Sequence, residues 1–495
     1  MHTNRLATLA ALVTLGGAAT GCNSFLDAHP TDVLTPENFY RTSADAVAAV
    51  NGVYEQVKWS YWLGFWYVSD VATDDILASA NFGSDGHRMS NYVFDALEWP
   101  PGGVWGDSYR TINRSNAVLD RVPAIAMDST LRRRLLGEAH FFRALAYFNL
   151  VRLFGDVPLL DHEVTSLDGL NVARTPAADV YALIESDLQD AIAALPTSYS
   201  GADIGRATHG AAQALLAKVH LTRGDWTAAA QTAGAIITSG RYALVTDWHD
   251  NFRIATEITN SESIYEVNYD ATVDPGAGSV QTLFSLPSGY PGGDAYGLMY
   301  VPPSLVALFD TADVRGEGGT LMTSPFVNAA GDTVTWAMPP GPAFAKYLDQ
   351  TSAQNTGARA WVAQSNDWIV LRYADVLLMY AEAVNEGGAA TAGSAESALN
   401  LVRARAGLAP VSGLSTAAFR DSVRLERRRE FVFEGQRWFD LARWGTLNDA
   451  IVAKTTELQT LAPGETTVHG VPGTLMPIPQ SERDLNRQLT QNPGW

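Results

Sequence analysis

One cysteine, Cys22, stands in a chain of 495 residues, so no intramolecular disulfide can form. A chain this long does not need one, because large chains bury most of their unfolded surface and apolar packing suffices. Long hydrophobic runs are scarce as well. The one candidate extends from Leu6 to Ala19. It is too short and too rich in Gly and Ala for a spanning helix, which needs about 20 strongly apolar residues. Basic side chains are outnumbered, with 34 Lys and Arg against 53 Asp and Glu, a formal charge of −19. Phosphate binding depends on Lys and Arg, so this balance argues against nucleic acid. It suits a neutral or cationic ligand. P-loop, HExxH, GxSxG and CxxC patterns are all missing. Nine histidines are scattered without metal-ligand spacing. His140, His209 and His220 fall within helical runs, and neither a metal nor a cofactor is expected.

What is present begins at the N-terminus. Arg5 precedes the apolar run, which ends in Ala19-Thr20-Gly21-Cys22. A short basic region, an apolar core and small residues at its end are the layout of a secretory signal. Small residues directly before a cysteine resemble a bacterial lipobox, with Ala19 where leucine is more usual. The expectation is a signal peptide over residues 1–21, cleaved before Cys22, which is then lipidated. Several acyl chains anchor stably, since each buried methylene contributes about 0.8 kcal/mol and a single chain is marginal.

The body reads as helical pairs. Ala212, Leu215, Leu216 and Val219 follow the i, i+3, i+4, i+7 spacing of one helical face. Gly224-Asp225 marks a turn, and Trp226, Ala229, Ala230, Ala233, Ile236 and Ile237 form a second face that stops near Gly240. Two amphipathic helices over about 34 residues resemble a tetratricopeptide unit. A face from Phe142 to Leu153 is expected to pair with a helix over 177–195. Another, from Tyr373 to Val384, is followed by a helix through Leu399, Val402 and Ala406. The uneven spacing predicts a mainly α fold of tetratricopeptide-like pairs with long insertions. The longest insertion, 268–367, is dense in Gly, Pro and aromatics and reads as loops with short strands. Residues 59–101 read as a second loop-rich aromatic region. Compact proteins seldom keep such loops unless they bind something.

Several motifs, in order along the chain, carry a family resemblance. Phe25-Leu26-Asp27, Pro30 and Thr35-Pro36-Glu37-Asn38-Phe39-Tyr40 are followed by Asn51-Gly52-Val53-Tyr54. Trp105-Gly106-Asp107-Ser108-Tyr109-Arg110 runs on to Asn116, and Glu138-Ala139-His140-Phe141-Phe142-Arg143-Ala144 precedes Leu153-Phe154-Gly155-Asp156-Val157-Pro158. Arg424-Leu425-Glu426-Arg427-Arg428-Arg429-Glu430-Phe431 leads into Phe433-Glu434-Gly435-Gln436-Arg437-Trp438-Phe439-Asp440. Met476-Pro477-Ile478-Pro479 and Gln491-Asn492-Pro493-Gly494-Trp495 close the series. Together they resemble the SusD/RagB family of outer-membrane nutrient-uptake lipoproteins. The resemblance implies a SusD-like α-superhelix over 22–495, with an N-terminal region of about 22–240 and a C-terminal region of about 260–495. It also implies a surface-exposed, lipid-anchored protein that is not an enzyme. Such a protein captures a glycan or other nutrient for a SusC-type TonB-dependent transporter.

Three readings of the residues accompany it. Glu426, Glu430 and Glu434 interleave with Arg427-Arg428-Arg429, a pattern of intramolecular ion pairs rather than a nucleic-acid patch. Such pairs near a surface contribute about 0–1 kcal/mol each. Asp74-Asp75 is the one carboxylate pair to weigh as a glycosidase dyad. Adjacent side chains diverge, whereas a glycosidase needs its carboxyls about 5–9 Å apart across the bond. A loop Asp that bonds sugar hydroxyls or caps a helix is the plainer account. Sugar capture requires flat apolar faces ringed by polar groups. The first aromatic region supplies Trp59, Trp62, Trp66, Tyr67, Asp70, Asp74, Asp75, Asn81, Arg88 and Trp99, and the second Tyr290, Tyr296, Tyr300 and Trp336. The expected ligand contacts are Trp62, Trp66, Asp74, Arg88, Trp99, Tyr296 and Trp336. Trp105 and Trp438 sit in helix motifs and read as structural. The alternatives are a lipidated scaffold that binds only proteins, and a glycan-degrading enzyme.

Overall fold

A computed structural model describes residues 39–495, apart from 79–81, 167–168, 170, 271–277, 292–294, 329, 338–340, 352–363 and 462–469. Cys22, the signal segment and Asn81 lie outside the described residues.

Among the described residues, six long helices follow one another in the N-terminal half. They are α1 (Ser43–Trp62), α2 (Trp99–Arg121), α3 (Ser129–Phe154), α4 (Ala177–Ala194), α5 (His209–Arg223) and α6 (Trp226–Thr238). Each packs on the next, so they form a continuous row. The row passes from α6 to α7 (Tyr373–Asn385), and α7 packs on both α8 (Ala395–Arg405) and α9 (Thr416–Phe431). Packing of each helix mainly on its neighbours in sequence is the mark of a repeat superhelix, as the helical spacing predicts.

Local chemistry fixes the helix ends. Thr42 and Asp45 form a reciprocal capping box at the start of α1. Thr208 caps α5, and Gly224 ends it with φ +75, a left-handed conformation that glycine adopts without a Cβ clash. From Gly137 onward helix α3 is buried almost all round, with Phe141, Phe142, Leu145, Phe148, Leu150 and Leu153 among its enclosed side chains. Such a helix belongs inside a protein, and α3 packs between α2 and α4.

The long insertion is closed at its base. Strand β1 (Ser263–Val267) pairs antiparallel with β2 (Trp368–Arg372) across it. Inside it, two-residue strands pair Leu321–Met322 with Ala343–Phe344, and Phe326–Val327 with Thr333–Val334. Met299–Tyr300 pairs with Leu77–Ala78 and so ties the insertion to the other aromatic region.

That other region departs from expectation. Residues 59–101 are largely helical: α1 continues to Trp62, short helical turns cover Gly64–Trp66 and Tyr67–Val71, and a short helix covers Gly83–Ser90. Every residue from Leu63 to Ala78 is buried. A helical stretch buried on all sides carries no polar face, so no period shows in the sequence.

Helix α9 is the second departure. Its charges do pair within the molecule, but in the interior. Glu426, Arg427 and Glu430 are all buried. Arg315 reaches Glu426 at 2.7 Å and Glu430 at 2.6 Å, and Arg372 reaches Glu430 at 2.5 Å and Glu434 at 2.8 Å. Arg405 also pairs with Glu430. Arg427 bridges Asp375 on α7 and Asp440 on α10 (Arg437–Arg443) at 2.9 and 2.8 Å. The partners come from the insertion, β2 and α8, far away in sequence, where helical spacing gives no hint of them. Two further helices, α11 (Leu447–Leu461) and α12 (Gln480–Leu485), follow. Among the described residues no helix is long and apolar enough to cross a membrane.

Candidate functional site

Two exposed tryptophans, Trp59 and Trp99, meet where α1 ends and α2 begins. Trp59 and Trp62 are one turn apart on α1, with ring centroids 5.7 Å apart and planes at 68°. Pro100 and Pro101 occupy the first turn of α2, where a missing N–H costs nothing, and Trp99 stands immediately before them. The two helix ends lie close together at Gly64, where a Cβ would make ordinary van der Waals contacts, 3.4 Å to the Pro100 carbonyl oxygen and 3.5 Å to the Val104 side chain. Trp59, Trp62 and Trp99 surround a cavity of about 330 Å³ completed by Gln56, Gly64, Asp107 and Arg110. Trp59 and Trp99 are each 45% exposed.

The polar side of this cavity is pre-arranged. Gln56 Nε2 donates to Asp107 Oδ1 at 3.2 Å, and Arg110 Nη1 donates to the same oxygen at 2.5 Å. Burial pushes the Asp107 carboxyl up from its ordinary range, against the pull of Arg110. Flat indole faces beside fixed donors and acceptors match a ligand with an apolar face and a hydroxyl edge.

The expected contacts divide. Trp62 and Trp99 line the cavity. Trp66 does not: it is 1% exposed, with its ring among Tyr67, Phe82, Phe284 and Phe433. Asp74 is also withdrawn from ligand. Arg437 Nε and Nη2 each donate to its carboxylate at 2.8 Å, and Arg428 lies at 3.1 Å. Burial works the other way, yet these guanidinium groups hold Asp74 well below the usual carboxylate range. Asp75 shares Arg428 at 2.7 Å, so the two carboxyls flank arginines in the interior rather than a scissile bond. Tyr290 and Tyr300 are buried too.

Arg88 pairs with Glu98, the residue before Trp99, and lies 3.6 Å from Asp95. It steadies the start of α2. Tyr296 is 43% exposed and joins Trp99 through a row of buried rings, Tyr67, Phe82 and Phe284. Trp336 packs elsewhere, on a small satellite core with Met322, Val334 and Ala343, and its Nε1 donates to the Gly341 carbonyl at 3.1 Å. Gln56, Asp107 and Arg110 escaped the sequence reading because Asp107 and Arg110 sit in a helix motif that reads as structural.

One group of three histidine and carboxylate side chains close enough to share a cation occurs among the described residues. Glu185, His220 and Asp225 bring ligand atoms within 4.8 Å of one another. Arg223 pairs with both carboxylates, so a cation already sits there.

Fold and cavity together define a helical-repeat protein with an aromatic-lined cavity at a helix junction. The chain belongs to the SusD family. Residues 326–495 match the family described as SusD family, and residues 24–221 match the one described as starch-binding associating with outer membrane. SusD-like protein P2 of Formosa agariphila is 28% identical over 96% of this chain and 97% of its own. A laminarin-binding SusD-like protein of known structure is 28% identical and superposes with a TM-score of 0.76, covering 92% of this chain and all of that one. Surface glycan-binding protein A of Bacteroides thetaiotaomicron, solved with laminarihexaose, shares the fold at 24% identity and a TM-score of 0.77, over 92% of this chain and 100% of its own.

Proposed function

We propose that this protein is a lipid-anchored receptor on the outer-membrane surface that captures a neutral glycan in the Trp59–Trp62–Trp99 cavity. It hands the glycan to a SusC-type TonB-dependent transporter and performs no chemistry on it. The observation that carries this reading is the cavity itself. Three indoles meet at one helix junction, two of them 45% exposed, beside a pre-bonded Gln56–Asp107–Arg110 edge. Large, half-exposed tryptophans on a rigid scaffold lose little entropy on binding and offer faces that sugars stack on.

The acidic balance of the chain, −19 overall, and the carboxylates Asp95, Glu98 and Asp107 around the junction favour an uncharged sugar over an anionic one. Laminarin is the natural first probe, because a relative at 28% identity carries that name. Affinity electrophoresis through gels containing laminarin, starch or an acidic polysaccharide tests the reading. At least one neutral polysaccharide should retard the protein, and a Trp59→Ala/Trp99→Ala double variant should migrate freely. Retardation by the acidic gel alone, or unchanged retardation of the double variant, contradicts the reading.

A further inference from the structure

The polar edge of the tryptophan cavity holds an acceptor and a donor side by side, both still open. Asp107 and Arg110 lie on α2, three residues apart and therefore on one face of the helix. The two donors that reach Asp107, Gln56 Nε2 and Arg110 Nη1, both go to Oδ1. Oδ2 accepts from no described residue and stays open to solvent. On Arg110 only Nη1 is engaged among the described residues, and the side chain is 64% exposed. Gln56 itself is buried, so the carboxylate is held from below and its free oxygen has one orientation.

The other charges around the pair have partners of their own. Burial pushes the Glu482 carboxyl on α12 up, against the pull of Arg110 and a hydrogen bond from Trp105. Arg114, one turn further along α2, donates to the Gly52 carbonyl at 2.6 Å. Glu98 and Asp95 share Arg88, and Lys58 pairs with Glu55 at 3.4 Å.

A carboxylate oxygen only accepts and a guanidinium only donates, whereas a hydroxyl does both. Two hydroxyls on neighbouring ring carbons satisfy the pair at once. One donates to Asp107 Oδ2, and the oxygen of the other accepts from the free Nη2 of Arg110. Both bonds are charge-assisted and hence among the stronger ones. A single hydroxyl uses half of the arrangement.

We propose that the Asp107–Arg110 pair reads two adjacent free hydroxyls on one sugar unit, and so restricts the ligand to chains that offer such a diol. The proposal rests on the glycan reading of the cavity. Chains differ in this respect by their linkage. A 1,4-linked hexose chain carries adjacent free hydroxyls at positions 2 and 3 of every unit. A 1,3-linked chain has its third oxygen substituted, so it offers an adjacent pair only at its ends. The cavity therefore engages a 1,4-linked chain anywhere along its length and a 1,3-linked chain by its end.

Periodate supplies the test, because it cuts carbon–carbon bonds only between adjacent free hydroxyls. In the methyl glycoside of laminarihexaose it opens the non-reducing end unit and leaves five rings intact. The methyl glycoside of laminaripentaose has five intact rings as well and keeps its end diol. In calorimetric titration the opened hexaoside should bind the wild type about tenfold more weakly than the pentaoside, or worse. Asp107→Asn keeps an oxygen for Gln56 and Arg110 but replaces the free acceptor by an N–H donor. It should melt with the wild type and bind both probes equally weakly. A side chain that only braced α2 would weaken both by one factor and leave their ratio unchanged. Equal binding of the two probes by the wild type, or an unchanged ratio in Asp107→Asn, overturns the proposal and leaves the cavity reading standing. Binding of neither probe also overturns it, and the cavity reading falls with it only if starch is unbound as well.

Discussion

Trp66 and Trp99 are chemically alike and both lie among other aromatics, yet the fold gives them opposite work. Trp66 is enclosed by four rings, so Trp66→Ala should lower stability by about 3–5 kcal/mol in a urea titration. A loss under 1 kcal/mol means that ring cluster is not core. The type of residue was legible in the sequence at both positions. Which one faces water was not, because exposure depends on elements such as the 281–285 turn and the Phe433 region that arrive from elsewhere in the chain. Asp74 shows the same gap: its partners Arg428 and Arg437 follow more than 350 residues later.

Lys454 adds a pH dependence at this scale. Its ammonium, buried on α11, donates to the Thr73 carbonyl at 2.7 Å and Ser90 Oγ at 3.3 Å. Burial pulls its pKa down to about 7, against the pull of Asp74 and Asp75. Between pH 7 and the ordinary lysine range the unfolded chain holds a proton that the folded chain has released, so stability rises with pH there. Relative to Lys454→Met, the wild type should gain stability from pH 7 to 9, read from urea midpoints. Parallel curves for the two proteins contradict the assignment.

At the level of elements, the helical pairs were legible because each presents one apolar stripe to a neighbour. The faces at 211–221, 226–240 and 373–384 emerge as α5, α6 and α7. The junction between α1 and α2 was not legible, since a segment buried on every side has no stripe. Helix α9 was half legible: alternating charge announced ion pairs but said nothing of depth. Burial sets the size of the effect. Glu430→Ala leaves Arg315, Arg372 and Arg405 short of a carboxylate in the interior, and should cost about 3–5 kcal/mol. Arg420→Ala, which breaks the surface pair with Glu386, should cost about 0–1 kcal/mol. Equal losses in chemical denaturation would place α9 at the surface after all.

For the whole molecule, the superhelix carries the fold, and the proposed function rests on the helix junction and on the lipid anchor expected at Cys22. The anchor reading predicts that Cys22→Ala moves the protein from the membrane fraction to the soluble one. It also predicts that the wild type, extracted from its host in mild detergent, brings a TonB-dependent barrel with it. Unchanged fractionation of the variant removes the anchor. The sequence carried the family and the general fold through motifs spread along the chain, but it could not rank the aromatics.

The central claim is that a glycan stacks on Trp59, Trp62 and Trp99, and calorimetric titration with laminarihexaose measures it most directly. Wild type should bind, Trp59→Ala and Trp99→Ala should each lose about 2 kcal/mol or more, roughly thirtyfold in Kd, and their thermal midpoints should stay at the wild-type value. Undiminished binding by both variants would contradict the account.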